Sequence, residues 1–306
     1  MKKSLLTHAA RRISGGVAAV ALTLGFLGAT QAIAGIAATK HNLTSTGPGE
    51  NKFTPNPGAG EICVFCHTPH GADTSAAVPL WNRQLAAPST YQTYNSLGTS
   101  SLDGATAPVG SVSLACLSCH DGVQAMNTMI NQPGSGGYTN QTSGTFATDA
   151  VWAGTWAGAN QTGGKIKAGL ITNIGVDLRN DHPVGIQYGG GMPNDGAYTT
   201  GAIADGGFKD KDFKGVAFQN LNSSPVWWVD TAIGTTGRQK TDMMLYTRTG
   251  SASVNQDRTV TADGTLAGAQ AFVECASCHD PHTSTNVTFL RIANTGSAVC
   301  LSCHIK

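Results

Sequence analysis

The eight cysteines of this chain fall into four identical frames. They are Cys63-Val64-Phe65-Cys66-His67, Cys116-Leu117-Ser118-Cys119-His120, Cys275-Ala276-Ser277-Cys278-His279 and Cys300-Leu301-Ser302-Cys303-His304. C-x-x-C-H is the frame that attaches haem. Two thiols at this spacing reach the two vinyl groups of one porphyrin as thioethers. The next residue then lies under the iron, where a histidine supplies the proximal imidazole. The sequence thus predicts four covalently bound haem c groups, each with its iron. Cys63, Cys66, Cys116, Cys119, Cys275, Cys278, Cys300 and Cys303 are the expected attachment residues, and His67, His120, His279 and His304 the expected proximal ligands.

Other cysteine chemistry explains less. Paired C-x-x-C units bind zinc, and the last two pairs come near a zinc ribbon in spacing. An exported chain could pair eight cysteines as disulfides, and C-x-x-C is also a redox motif. None of these requires histidine after the second cysteine, whereas every frame here has one. No cysteine is left over, so structural disulfides are not expected.

The remaining histidines match the remaining demand. Apart from His8, which falls in the leader described below, the free histidines are His41, His70, His182 and His282. Four haems need four distal ligands, so the count predicts bis-histidine iron throughout. His70 and His282 each follow a proximal histidine by three residues, in His67-Thr68-Pro69-His70 and His279-Asp280-Pro281-His282. Proline stiffens each link. So short a link cannot pass round its own porphyrin, so each ring should reach an adjacent haem, which requires close haem packing. His182 stands in Asn180-Asp181-His182-Pro183, where Asp181 or a backbone carbonyl could orient it. Methionine is an alternative axial ligand, but the count leaves Met126, Met129, Met192, Met243 and Met244 unneeded.

The elements that must position these residues are sparse. Only 12% of residues are charged, Gly numbers 39 of 306, and turn formers abound. The expected fold is mostly irregular and loop-rich, with short helices and a few short β-strands, and a core built around four stacked c-type haems. Short helical turns are expected after the motifs. Residues 226–229 and 243–247 have strand composition. Residues 134–137 and 189–191 punctuate loops, and Trp152, Trp156, Trp227 and Trp228 are read as core residues.

The N-terminus carries Lys2, Lys3, Arg11 and Arg12, no acid before Glu50, a short apolar run over residues 15–27, and an Ala32-Ile33-Ala34 cleavage site. Together these predict a secretory signal peptide over residues 1–34. Residues 35–306 then form a single tetrahaem domain. Haems 1 and 2 attach within residues 63–120, haems 3 and 4 within 275–306, and a loop- and strand-rich sheath of 121–274 lies between. Without the leader, 15 of the 19 basic residues remain against 18 acidic ones, which gives no basic surface for nucleic acid. No later segment is long and apolar enough to predict a transmembrane span.

The frames in order, with Thr68-Pro69-His70, Leu80-Trp81-Asn82-Arg83, Asp121-Gly122, Asp181-His182-Pro183 and Asp280-Pro281-His282, resemble extracellular multihaem cytochromes of metal-reducing bacteria. Four motifs with one histidine near the mature N-terminus resemble the OmcE-like tetrahaem cytochromes that polymerise into conductive filaments. The likeness covers the motif-bearing ends and hardly touches the middle. It implies a secreted or cell-surface homopolymer in which His41 ligates a haem of the neighbouring subunit. Redox partner proteins or extracellular electron acceptors would be its other contacts. The expected function is electron transfer, not enzymatic catalysis. A soluble periplasmic shuttle is the first alternative, and a multihaem reductase subunit, which needs an open iron site, the second.

Overall fold

A computed structural model describes residues 35–44, 46–54, 61–98, 101–126, 128–131, 151–153, 159–192, 202–221, 224–232, 237–249 and 269–305. The chain divides into Met1–Gly35 and Ile36–Lys306, and the architecture below is that of the second unit. The expected leader, residues 134–137 and Trp156 lie outside the described residues, as does the side chain of Trp152.

Each C-x-x-C-H frame closes a single helical turn. The histidine N–H donates to the carbonyl of the first cysteine at 2.8 Å in His67, 3.1 Å in His279 and 3.0 Å in His304. The second frame ends the longest helix, α1 (Ser111–His120). The third forms α2 (Cys275–Cys278), and the fourth begins in α3 (Ala298–Leu301). The first is a 3-10 turn at Ile62–Phe65. Helical turns therefore contain the motifs rather than follow them. The reason is geometric: three-residue spacing on a helical turn puts both thiols on one face.

The strands are short. β1 (Lys52–Thr54) pairs with β2 (Val151–Ala153), and β3 (Gln161–Thr162) with β4 (Lys165–Ile166), all antiparallel. A larger antiparallel sheet joins β5 (Ile186–Gln187), β6 (Ala217–Leu221), β7 (Ser224–Val229), β8 (Met243–Arg248) and β9 (Gln270–Val273), in the order β5-β9-β8-β7-β6. Both expected strand segments lie in it, as β7 and β8. Its extent exceeds what composition suggested, since β5, β6 and β9 join the two expected segments.

β7 and β8 carry the apolar core of this sheet. Trp227 faces Leu245 and Phe218 in register, its ring 4.4 Å from that of Phe218. Trp227, Trp228, Met243 and Leu245 are buried, which bears out the reading of this tryptophan pair as core. Met126, Met129 and Met244 are buried too. The buried Asp242 closes the β7–β8 connection, accepting from the Thr231 and Gln239 amides at 3.1 and 2.6 Å. In the 3-10 turn Tyr188–Gly190, Gly189 has φ 57°, and an added Cβ would meet Phe208 at 2.6 Å, so only glycine fits.

The sheet positions two motifs directly. β9 runs into Glu274, which caps α2: the Glu274 amide donates to Ser277 Oγ at 2.9 Å. Its buried carboxylate takes Ser113 Oγ at 2.5 Å and Arg248 Nη1 at 2.7 Å. The Cys275 amide also donates to Ser113 Oγ, at 2.9 Å. Ser113 belongs to α1, so these bonds fasten the second motif to the third.

Removing Arg248 would leave that carboxylate buried and unpaired. Arg248→Met is expected to cost about 3–5 kcal/mol of stability near neutral pH. Burial already raises the Glu274 pKa above its ordinary 4.5, with Arg248 opposing. A carboxyl raised in the folded state contributes stability below its unfolded pKa and loses it as pH rises through the folded value. The variant's deficit should therefore grow from pH 4 to pH 8. Chemical denaturation at both values gives the check, and equal deficits would contradict the assignment.

Candidate functional site

The four motifs lie in a row that follows their order in sequence. Cys66 and Cys119 are near enough for each charge to act on the other. The thiols of Cys116 and Cys275 act on each other. Cys278 interacts in turn with Cys300 and Cys303. All eight cysteines are free, with no disulfide among them. Burial pushes the thiols of Cys66 and Cys303 up to about 12 and that of Cys278 to about 11. These thiols stay protonated at neutral pH in the unligated chain. Among the described residues, no group of three or more His, Cys, Asp or Glu side chains is arranged to hold a metal ion.

Three motif histidines are oriented alike. Nδ1–H of His67 donates to the Pro79 carbonyl at 2.7 Å, that of His120 to Thr172 at 2.8 Å, and that of His279 to Thr288 at 2.7 Å. A carbonyl only accepts, so the proton sits on Nδ1 and Nε2 keeps its lone pair for a metal. Two of the acceptor loops use left-handed backbone, at Leu80 (φ 57°) and at Thr288 and Phe289 (φ 55° and 62°). Each acceptor also adjoins an exposed apolar side chain: Leu80, Ile171 or Val287. Such side chains suit the apolar faces of a porphyrin better than water.

The free histidines sort themselves against these rings. His41 lies 6.2 Å from His120, centre to centre, and His282 lies 6.4 Å from His67. Two imidazoles bonded to opposite sides of one metal at about 2 Å each would stand roughly 6 Å apart by ring centre. His182 acts electrostatically on His279, which places it beside the third motif. The residues present therefore fit haem iron held between paired imidazoles.

The electrostatics favour ligation. Burial first, then neighbouring His120, brings the pKa of His41 down to about 4. Burial lowers His120 and His279 as well, against their carbonyl partners. All three are neutral bases at physiological pH, the form that binds metal. Nδ1 of His41 is buried without a hydrogen-bond partner; the Pro281 backbone acts on the ring but does not satisfy that nitrogen by distance and angle. Phe289 stacks on the His41 ring at 4.3 Å and 7°. Asp280 approaches His282 Nδ1 at 3.4 Å, and Tyr94 donates to the Asp181 carbonyl beside His182.

The fourth motif and His70 are not brought together in this way. His304 packs on Phe213 at 4.4 Å, and its Nδ1 has no carbonyl partner among the described residues. His70 is exposed, tethered only by its backbone carbonyl to Asn131 and Thr68. The sequence reading sent His41 to a neighbouring subunit; here the ring sits against His120 and Phe289 of its own chain.

Sequence reasoning missed the groups that do the positioning. Pro79, Thr172 and Thr288 act through their carbonyls, which any residue carries. Glu274 left a faint signal, an acid directly before a motif with Ser277 three residues on. Arg83 stood in a segment quoted only for its likeness to other chains.

The model of the doubled CXXCH motif family matches residues 269–306, which hold the third and fourth motifs and His282. No curated protein matches the chain. The motifs indicate covalently bound haem c and a haem-binding electron-transfer cytochrome.

The pairing is testable one histidine at a time. His282→Ala and His41→Ala should each keep every covalent haem yet create one haem that binds carbon monoxide when reduced. Difference spectra read this directly. Two variants as inert to carbon monoxide as the parent would overturn the pairing.

Proposed function

We propose that the chain is an exported tetrahaem electron carrier, each haem c held between two histidines, whose copies join end to end into a filament. The observation that carries the reading is the separation of 6.2 and 6.4 Å for two histidine pairs that are remote in sequence. When bound, haem supplies one-electron Fe(III)/Fe(II) chemistry. The chain's own residues then do three things. Paired imidazoles would hold each iron and so would exclude substrate from it. Carbonyls of Pro79, Thr172 and Thr288 hold the proximal rings still, so that changing oxidation state demands little rearrangement. The row of thiols sets neighbouring haems close together.

Two histidines support the polymeric part of the reading. His70 and His304 are each left without a histidine partner within the chain among the described residues, and His70 is exposed. One chain's His70 can complete the His304 centre of the next, which uses all eight histidines that follow the expected leader with none in surplus. In this reading the exchanged ligand is His70, and His41 serves the centre of His120. Basic Lys2, Lys3, Arg11 and Arg12 before an apolar run support export. Redox proteins or extracellular acceptors would take the electrons.

Pyridine haemochrome assay of the purified chain should give four haems per polypeptide. Electron microscopy should show filaments with a regular repeat, and His70→Ala should disperse them without loss of covalent haem. Intact filaments in that variant would sink the exchange. Discrete particles from the parent chain at high concentration would favour a soluble shuttle instead.

A further inference from the structure

Arg83 is among the most deeply buried charges of the chain, at 2% exposure. Its guanidinium is held entirely by carbonyls: Nη1 donates to Met126 O at 2.8 Å, and Nη2 to Ser118 O at 3.1 Å and Ala125 O at 2.7 Å. The buried Nε has no partner. No carboxylate forms an ion pair with it among the described residues. The buried acid of the same loop, Asp121, is committed elsewhere. Its Oδ1 accepts from the Val123 and Gln124 amides at 2.8 and 2.9 Å, and its Oδ2 from Tyr91 at 3.2 Å.

A buried cation without a counter-ion is strongly disfavoured, and so is a buried donor without an acceptor. No ion pair offsets that charge among the described residues, so it acts on whatever lies beside it. The position says which groups those are. Arg83 follows Trp81 and Asn82, which bind the first motif: the Asn82 amide donates to Cys66 O at 2.9 Å and its Nδ2 to Val64 O at 2.6 Å. The Ser118 carbonyl that Arg83 grips lies inside the second motif, directly before Cys119. The guanidinium thus sits at the junction of the two N-terminal motifs. Its charge acts on Cys66.

We propose that Arg83, as a fixed positive charge buried at the junction of the first two motifs, raises the reduction potentials of the haems attached there. The proposal rests on the haem reading above. A cation favours the ferrous state, which carries one more electron, and low-dielectric surroundings strengthen the effect. The guanidiniums near the third motif differ: Arg248 is neutralised by Glu274 at 2.7 Å, and Arg291, whose charge acts on Cys278, is only half-buried. Arg291, beside the third motif, is spread over the Ala276 and Lys240 carbonyls with one nitrogen exposed to Lys240's surface segment.

The test is potentiometric titration of the exported, haem-loaded full chain, with haem content measured in parallel. Arg83→Met should shift the one-electron equilibrium of two haems about tenfold toward ferric, which is about 59 mV, and leave the other two unmoved. Arg83→Lys, which keeps the charge, should recover most of that shift. If Arg83→Met loses its haems, Ala125→Asp supplies the second arm. It sets a carboxylate beside an intact guanidinium at a half-buried site, and should move the same two haems the same way. Unchanged potentials in haem-replete Arg83→Met, or in Ala125→Asp, would overturn the proposal. A parent chain that carries no haem would overturn the haem reading itself, and this role with it.

Discussion

Burying the Glu274 carboxylate is unfavourable unless strong donors surround it. Ser113 and Arg248 supply them at 2.5 and 2.7 Å, and the arrangement at this point dictates much of the rest. Ser113 lies on α1 and Arg248 ends β8, while Glu274 joins β9 to α2. One carboxylate therefore ties helix, sheet and the third motif into a single node. The same serine hydroxyl takes the Cys275 amide, so Cys116 and Cys275 come within hydrogen-bonding reach. Motifs separated by more than 150 residues in sequence become neighbours through one buried ion pair.

From that node the row extends in both directions by different means. Toward the first motif the fastening is made by a side-chain amide. Asn82, fully buried, bonds Val64 and Asn131 while its backbone bonds Cys66. Toward the fourth it is apolar, with Cys278 and Cys303 both packed against the cluster of Tyr188, Phe208 and Trp227. Neither end depends on long helices or strands. A chain so rich in glycine and so poor in helix formers would find those difficult to supply.

The residues that do chemistry were legible because covalent attachment leaves a rigid signature. Two thiols, two intervening residues and a histidine allow little variation, and each frame closes the same helical turn. β7 and β8 were legible for a similar reason, since Trp227, Trp228, Met243 and Leu245 concentrate apolar mass in short runs. What stayed hidden is contributed by backbone. The carbonyls of Pro79, Thr172 and Thr288 carry no residue type, and left-handed φ at Leu80, Thr288 and Phe289 breaks the usual preference for glycine. The match of histidines to demand could be counted in the sequence, but their pairing could not. His282 lies beside His67 and His41 beside His120 through contacts between segments remote in sequence, such as Phe289 stacked on His41.

The fourth motif shows what this scaffold does where no interior node is available. Strand-like bonds dock it on both sides to residues 212–214: the Lys214 amide donates to Cys303 O at 2.8 Å, and the Ile305 amide to Asp212 O at 2.6 Å. His304 then rests on Phe213 instead of donating to a carbonyl. Backbone bonds fix where this turn sits, whereas a ring contact leaves the imidazole freer to rotate about its own axis than an Nδ1–H bond would. His67, His120 and His279 have their planes set by the chain that bears them. The orientation of the fourth is set by fewer groups, so whatever binds opposite it has more influence on that ring than on any of the others.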